Sequence, residues 1–163
     1  MLRIGGPLVA LALLAWPAPA QGQKNVEQLR ARWEQEADAV RKAKLMAELG
    51  NAEFRVINQE AAGGDTRAAL AGLRQYRDEA RQTVKRLDAR PVDAEKHPGG
   101  FKQMQISLRE SLREIDEVVG SLTADEQGPF LEVRKEIEEM NRHMVQELFP
   151  REPVGDVPPG KFK

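Results

Sequence analysis

Apolar residues recur every three or four positions through most of the chain, which is the spacing of one face of an α-helix. Asn25 and Gln28 have the spacing of a capping box, so we place the start of a first helix at Asn25. Its apolar face continues beyond Gly50, and this predicts one nearly continuous helix to about Ala62; the alternative is a helix that ends at Gly50. The positions of this face are Val26, Leu29, Trp33, Ala37, Val40, Ala43, Ala47, Phe54, Ile57 and Ala61.

A second helix follows the pair Gly63-Gly64, where Asp65 can serve as its N-cap. So short a turn predicts that the first two helices form an antiparallel hairpin, residues 25–88. The Pro- and Gly-rich residues 89–100 then form the longest internal loop. The apolar face of the second helix is Ala69 or Leu70, Leu73, Tyr76, Ala80, Val84 and Leu87.

The second half of the chain predicts another hairpin, residues 101–148. Thr123 and Glu126 have the spacing of a capping box between its two helices. Gly128-Pro129 leaves the first residue of the fourth helix open, because proline lacks the amide hydrogen that a helix interior needs, and Pro150 ends that helix. The two faces are Phe101, Met104, Leu108, Leu112, Ile115, Val119 and Leu122, then Phe130, Val133, Ile137, Met140, Met144 and Leu148.

No run of alternating β-branched or aromatic residues indicates a strand, so the predicted fold class is all-α. We expect one helical domain, residues 21–149, in which the two hairpins form an up-down four-helix bundle with coiled-coil-like packing or an extended helical array. Because part of the long first helix would extend beyond the shorter second helix, we also expect an uncovered apolar face there.

The two ends of the chain differ from its middle. Residues 1–20 have Arg3 near the start, an apolar run too short to span a bilayer, and Ala18-Pro19-Ala20 as a cleavage site, which predicts a secretory signal peptide. We therefore expect an exported protein, periplasmic or extracellular, that is not inserted in the membrane after cleavage. Residues 150–163 are rich in Pro and Gly and are predicted to be a disordered tail.

Composition narrows the chemistry. The chain has 25 basic and 26 acidic residues and no cysteine, which excludes disulfides, thiolate metal sites and cysteine nucleophiles. A net charge of −1 with both signs interspersed argues against nucleic-acid binding. Residues 66–90 carry seven basic and three acidic side chains, whereas residues 124–149 carry seven acidic and three basic ones. We infer that the second and fourth helices lie side by side; two independent solvated faces are the alternative.

The strongest candidate for metal or acid–base chemistry is His143 with Glu139 and Glu147, four residues away on either side. A carboxylate-bridged metal pair would need Glu-x-x-His on two helices, and Met140 stands at the required position, so we interpret His143 as a surface residue. We expect no functional role for His97 in the loop; the alternative is that two histidines bind a metal ion weakly between molecules.

Other candidates have simpler interpretations. Two pairs of carboxyl residues are consecutive in the chain, Asp116-Glu117 and Glu138-Glu139. Consecutive residues point about 100° apart on a helix, which prevents joint acid–base chemistry, so we interpret them as solvated. Trp33 and Tyr76 fall in apolar faces and are expected in the core. No serine stands in a Gly-x-Ser-x-Gly motif. We therefore predict no catalytic, cofactor-binding or metal-binding residue, and no cofactor.

Two short segments resemble known families. Residues 64–70, Gly-Asp-Thr-Arg-Ala-Ala-Leu, resemble the start of the second helix of a tetratricopeptide unit, which implies a peptide-binding solenoid; the segment occurs once, and such arrays need about three copies. Residues 122–127, Leu-Thr-Ala-Asp-Glu-Gln, resemble the Leu-Thr-x-x-Gln signature of small periplasmic helical stress chaperones and metal-resistance proteins, with Gln127 one position late. That resemblance implies a cradle for unfolded clients.

These observations predict a non-catalytic helical protein that acts through a protein partner, as an adaptor, scaffold or accessory subunit. A homo-oligomer is compatible with the same amphipathic helices. The alternative is a stress chaperone or metal-resistance protein of the Leu-Thr-x-x-Gln type, which should expose a broad apolar surface and bind several unrelated unfolded proteins.

Overall fold

A computed structural model describes residues 21–150, and this part of the chain is all-helical with no strand. The all-α fold class is therefore confirmed. The predicted signal peptide and residues 151–163 of the predicted tail lie outside the described residues. The five helices are α1 (Gln21–Gln35), α2 (Ala39–Ala62), α3 (Thr66–Asp88), α4 (Phe101–Ser121) and α5 (Ala124–Leu148).

The long first helix predicted from the sequence is wrong in one respect, because it is broken at residues 36–38 into α1 and α2. Asp38 caps α2 by accepting a hydrogen bond from the backbone N–H of Arg41 at 2.8 Å. The predicted cap at Asn25 is also wrong, since Asn25 lies inside α1. The apolar spacing had continued across the break because Ala37, an exposed residue, fell in phase with both helices.

The continuity of α2 through Gly50 is confirmed, and the structure gives the reason for glycine there. A Cβ atom on Gly50 would lie 2.9 Å from Cε2 of Tyr76 on α3. The Tyr76 ring also packs edge-on against Phe54, with ring centroids 4.9 Å apart. Gly50 therefore lets α2 and α3 approach closely, and its low helix propensity is offset by this packing.

The direction of neighbouring helices follows from their contacts. Phe54 of α2 meets Tyr76 of α3, and Ile57 lies against Gly72 earlier in α3, so α2 and α3 are antiparallel. Helices α4 and α5 are antiparallel as well, with polar contacts from Gln105 to Asn141 and from Asp116 to Arg134.

The predicted contact between the basic and acidic helices, now α3 and α5, is confirmed, and these helices run parallel. Three polar contacts join them in the same order along both helices: Thr66 with Glu126, Arg81 with Glu136, and Asp88 with His143. Helix α4 also lies against α2, where Asn58 donates to Glu114 at 3.0 Å.

Most predicted apolar faces are buried in one core shared by the helices, and Trp33 and Tyr76 are buried as expected. The expected uncovered face of the first helix is wrong. Because of the break at residues 36–38, α1 folds back antiparallel to α2, with Arg30 bonded to Glu53. The largest apolar side chains that are fully buried are Tyr76, Phe101, Phe130, Met46, Leu49, Ile57, Leu73, Leu87, Met104, Leu108 and Ile115.

Capping residues set the ends of α3 and α5 as predicted. Asp65 accepts a hydrogen bond from the Ala68 N–H at 3.0 Å at the start of α3. Thr123 and Glu126 form the capping box at the start of α5, so that helix begins before Pro129, which lies within its second turn.

The loop of residues 89–100 requires glycine at its last residue. Gly100 has φ +89°, and a Cβ atom there would lie 2.8 Å from Cδ2 of Leu87.

Candidate functional site: the cleft between α1 and α3

A cleft runs between α1 and α3, whose backbones stay apart, and residues of α2 form the floor of its N-terminal half. We divide it into an N-terminal half of about 410 Å³ and a C-terminal half of about 560 Å³. The N-terminal half is lined by Gln23, Val26, Glu27, Arg30, Glu53, Val56, Ile57, Glu60, Ala68, Ala71, Gly72 and Gln75. The C-terminal half is lined by Trp33, Glu34, Ala71, Arg74, Gln75, Asp78, Glu79 and Gln82.

One arginine joins the three helices at the bottom of this cleft. Arg30 of α1 donates from Nη2 to Glu53 Oε1 of α2 at 2.5 Å and from Nε to Glu79 Oε1 of α3 at 2.6 Å. When the side-chain amide of Gln75 is oriented with its oxygen toward Arg30, that oxygen also accepts from Nε at 2.9 Å and from Nη2 at 3.2 Å. We call Glu53 and Glu79 the buried acid pair, and Arg30 is its arginine.

The two carboxyl groups of this cluster are removed from water. The exposed fraction is 3% for Glu53 and 7% for Glu79. Burial first, and then the neighbouring Glu79, raise the pKa of Glu53 to about 9, although Arg30 acts in the opposite direction. The second oxygen of each carboxyl, Oε2, is buried without a donor within the described part of the chain.

A second set of contacts fixes the C-terminal end of α1. Trp33 donates from Nε1 to Thr83 Oγ1 of α3 at 3.1 Å. The Lys42 ammonium donates to the Trp33 carbonyl at 2.6 Å and lies 3.8 Å from the centre of the indole ring. Lys42 is buried, which lowers the pKa of its ammonium group. These contacts satisfy a carbonyl at the end of α1 and hold that end on α2 and α3.

The cleft is predominantly acidic. Six carboxyl groups line its two halves, against two guanidinium groups, those of Arg30 and Arg74. The carboxyl groups are those of Glu27, Glu34, Glu53, Glu60, Asp78 and Glu79. Burial, and then Asp65, raise the pKa of Glu60. The α3 side is formed partly by the small residues Ala68, Ala71 and Gly72, which leave room above the floor.

The residues singled out from the sequence lie elsewhere. His143 Nε2 is 3.0 Å from both carboxylate oxygens of Asp88, while Glu139 and Glu147 are exposed. His97 is exposed in the loop between α3 and α4. Asp116 and Glu138 both pair with Arg134. Among residues 21–150, no group of three or more His, Asp or Glu side chains is arranged to hold a metal ion.

The side chains of both resemblance segments have local structural roles. Thr123 and Glu126 form the capping box, and Gln127 donates to the carbonyls of Val119 and Leu122 at the end of α4. In the other segment, Gly64 has φ +82° in the turn and Asp65 caps α3. These roles account for both short patterns without a family relationship.

Comparison of the chain with protein-family models, with curated proteins and with solved structures found no match. In the part of the chain that the structure describes, no helix has the length and apolar character needed to cross a membrane.

The acid pair and its arginine were not predicted from the sequence. One signal was present, because Glu53 stands four residues after Leu49 and four before Ile57, within an apolar face of α2. A carboxyl group at such a position must be paired or protonated once the face is buried. Its partners could not be identified, since Arg30 reaches Glu53 only because α1 turns back at residues 36–38.

Proposed function

We propose that this is an exported, non-catalytic helical protein that acts as an adaptor, scaffold or accessory subunit. In this proposal α2 to α5 form a four-helix bundle, with α1 on one side of it, and the cleft between α1 and α3 docks a basic segment of a partner protein. The observation that carries the proposal is the excess of carboxyl groups along the cleft. A cleft lined by one sign of charge attracts and orients an oppositely charged segment.

The dimensions of the cleft fit a short peptide segment. Its α3 side extends from Ala68 to Gln82. At the rise of an α-helix this is about 20 Å, the length of about six extended residues. Val26, Val56 and Ile57 provide apolar contacts in the N-terminal half, so the segment should carry apolar side chains between its basic ones.

The lining residues also favour binding over catalysis. Neither half of the cleft includes a Ser, Thr, Cys or His side chain among its lining residues. Apart from the Trp33 indole N–H, which donates to Thr83, the polar groups are carboxyl, amide and guanidinium groups, which recognise ligands by charge and hydrogen bonding. An adaptor requires no more than this.

The surface gives less support to the chaperone alternative. In the described ranges, the large apolar side chains that are exposed are Leu131, Val145 and Phe149, all at or near α5. A cradle for unfolded clients would need a broad contiguous apolar surface. The adaptor proposal therefore accounts better for the distribution of polar and apolar side chains.

Site-specific photo-crosslinking tests the docking site. A photoreactive amino acid replaces Ala71, an exposed residue that lines both halves of the cleft, and in a control chain it replaces Glu117, an exposed residue of α4. We expect position 71, and not position 117, to capture one recurrent partner in living cells. The crosslinked peptide, identified by mass spectrometry, should have a net positive charge.

A synthetic copy of that peptide then tests the charge argument. Its affinity should fall by at least tenfold in the double variant Glu27→Lys, Glu60→Lys, and should fall with rising salt. An acidic or neutral crosslinked segment, or equal capture from both positions, would overturn the docking proposal. Capture of many unrelated proteins from position 71 would favour the chaperone alternative.

A further inference from the structure

We propose that Glu53 and Glu79 share one proton, that this proton holds α1 against α2 and α3, and that its loss widens the cleft. The role for the cleft rests on the proposed function, whereas the shared proton and the position of α1 do not. Oε2 of Glu53 and Oε2 of Glu79 are both buried, and neither has a donor among the described residues.

The hydrogen bonds of Arg30 leave two buried oxygens that can hold the proton. Arg30 donates one hydrogen bond to Oε1 of each carboxyl group, which leaves Oε2 of Glu53 and Oε2 of Glu79 without hydrogen. Two buried carboxylates beside one guanidinium would carry an uncompensated negative charge. A single proton between the carboxyl groups removes that charge, and it supplies a donor to one oxygen and an acceptor to the other.

The other titratable groups around the pair do not supply the missing positive charge. They are Glu27 and Glu34 on α1, Lys42 and Glu60 on α2, Arg74, Tyr76 and Asp78 on α3, and Glu110 on α4. The Lys42 ammonium donates to the Trp33 carbonyl. Arg74 lines the cleft beside Glu79 but forms no salt bridge with either carboxyl group of the pair in the described residues. Burial raises the pKa of the Tyr76 phenol, so it stays neutral, and the remaining groups are carboxyls. Arg30 is therefore the one cation bonded to the pair within the described residues.

Loss of the proton should loosen α1 in particular. Glu53 and Glu79 belong to α2 and α3, which are packed together through Gly50, Tyr76 and Gly72. Helix α1 is attached over the pair through Arg30. When both carboxyls ionise, repulsion and the loss of hydration are most easily relieved if α1 moves outward and admits water. Because α1 is one side of the cleft, the cleft then widens.

The same exchange links the proton to the proposed partner. A Lys or Arg side chain that reaches the pair from the cleft would supply the second positive charge, and the shared proton would be released to solvent. Charge is conserved in this exchange, since one proton leaves for each cationic side chain that enters. The shared proton thus regulates how the cleft accepts a basic segment.

A distance measurement on the full chain tests the position of α1. The chain has no cysteine, so Gln28→Cys on α1 and Lys135→Cys on α5, both exposed, give two unique sites for spin labels. Pulsed electron spin resonance should give one narrow distance near pH 7 and a longer, broader distribution above about pH 9. In the Glu53→Gln chain, the narrow distribution should persist at both pH values.

Controls separate this mechanism from a general effect of alkali. Glu48→Gln is the matched control, because Glu48 is an exposed carboxyl of α2 that also pairs with an arginine of α1, Arg32. It should widen with pH as the original chain does. If Glu53→Gln fails to fold, Glu79→Gln serves in its place. An unchanged distance in the original chain would overturn the inference. So would widening in the Glu53→Gln chain to the same extent as in the Glu48→Gln chain.

Side-chain carboxyl 13C resonances give a second and direct measurement. The Glu53 resonance should report a pKa of about 9, and the Glu79 resonance should change over the same pH range because the two carboxyl groups share the proton. An ordinary acidic pKa for Glu53 would exclude the shared proton. These results do not depend on any partner, so a failure of the photo-crosslinking experiment leaves them intact, and the reverse also holds.

Discussion

Glu53 shows what a single charge-bearing residue does inside an apolar helix face. Its carboxyl takes up a proton because burial makes the charged form costly, and the adjacent Glu79 adds to that cost. Glutamine has nearly the same shape, donates from its amide and never ionises. Glu53→Gln is therefore the simplest test at this scale.

We expect Glu53→Gln to remove a pH dependence of stability. The pKa of Glu53 is about 9 when folded and close to the ordinary 4.5 when unfolded. Between these values the folded chain binds the extra proton, so its free energy of unfolding falls as pH rises through that window. The variant should lose this slope. Near pH 9 its free energy of unfolding should exceed that of the original chain by more than about 1 kcal/mol. Urea unfolding at several pH values measures both; parallel pH profiles would contradict the assignment.

Gly50→Ala tests a close approach between helices. The new Cβ would meet the Tyr76 ring at 2.9 Å, so we expect a loss of about 1–3 kcal/mol in the free energy of unfolding although alanine favours helices. Gly120 of α4 has open space around it and provides the control. Gly120→Ala should gain up to about 1 kcal/mol. Thermal or urea unfolding of the two variants decides the point, and equal effects would refute the packing argument.

At the scale of elements, the attachment of α1 depends on a few polar side chains. Lys42→Met preserves the length of the side chain and removes its hydrogen bond to the Trp33 carbonyl. We expect faster amide hydrogen exchange in α1 with little change in α4 and α5, because the loss is local to one helix end. Lys44→Met, at an exposed position of the same helix, should leave the exchange of α1 unchanged. Uniformly faster exchange in all helices would argue against a separable α1.

The start of α5 offers a second element to test. Thr123→Ala removes the hydroxyl of the capping box and should cost about 0.5–2 kcal/mol. Thr123→Ser retains the hydroxyl and should restore most of that loss. Urea unfolding measures the free energy of unfolding of both variants. If the serine variant is as unstable as the alanine variant, the hydroxyl is unimportant.

For the whole molecule, the charges on α3 and α5 bear on how the helices are paired. Glu136→Arg places a positive charge beside Arg77 and Arg81 and should destabilise the fold. Adding Arg81→Glu should recover about 0.2–1 kcal/mol relative to the sum of the single variants, because the pair is largely solvated. A double-mutant cycle in urea measures this coupling, and strict additivity would mean that the contact has no energetic role.

Local chemistry made much of this fold predictable. The caps at Asp65 and Thr123, the turn at Gly64 and the loop of residues 89–100 all follow from short-range backbone requirements, which the sequence states directly. The break at residues 36–38 escaped prediction because Ala37 preserved the apolar spacing across it. The candidate site escaped with it, since its three charged residues come from three helices.

Periodicity, capping residues and net charge are properties of short stretches of the chain, so they were enough to predict that residues 21–150 are helical and which helix faces are buried. They favoured a contact between the two charged helices without deciding it. The turn of α1 back onto α2 and the parallel course of α3 and α5 became evident only in the folded chain. The tertiary structure alone placed Arg30 between Glu53 and Glu79. Those outcomes depend on contacts between residues distant in the chain, where burial gives a carboxyl group a different chemistry from the one its position in the sequence suggests.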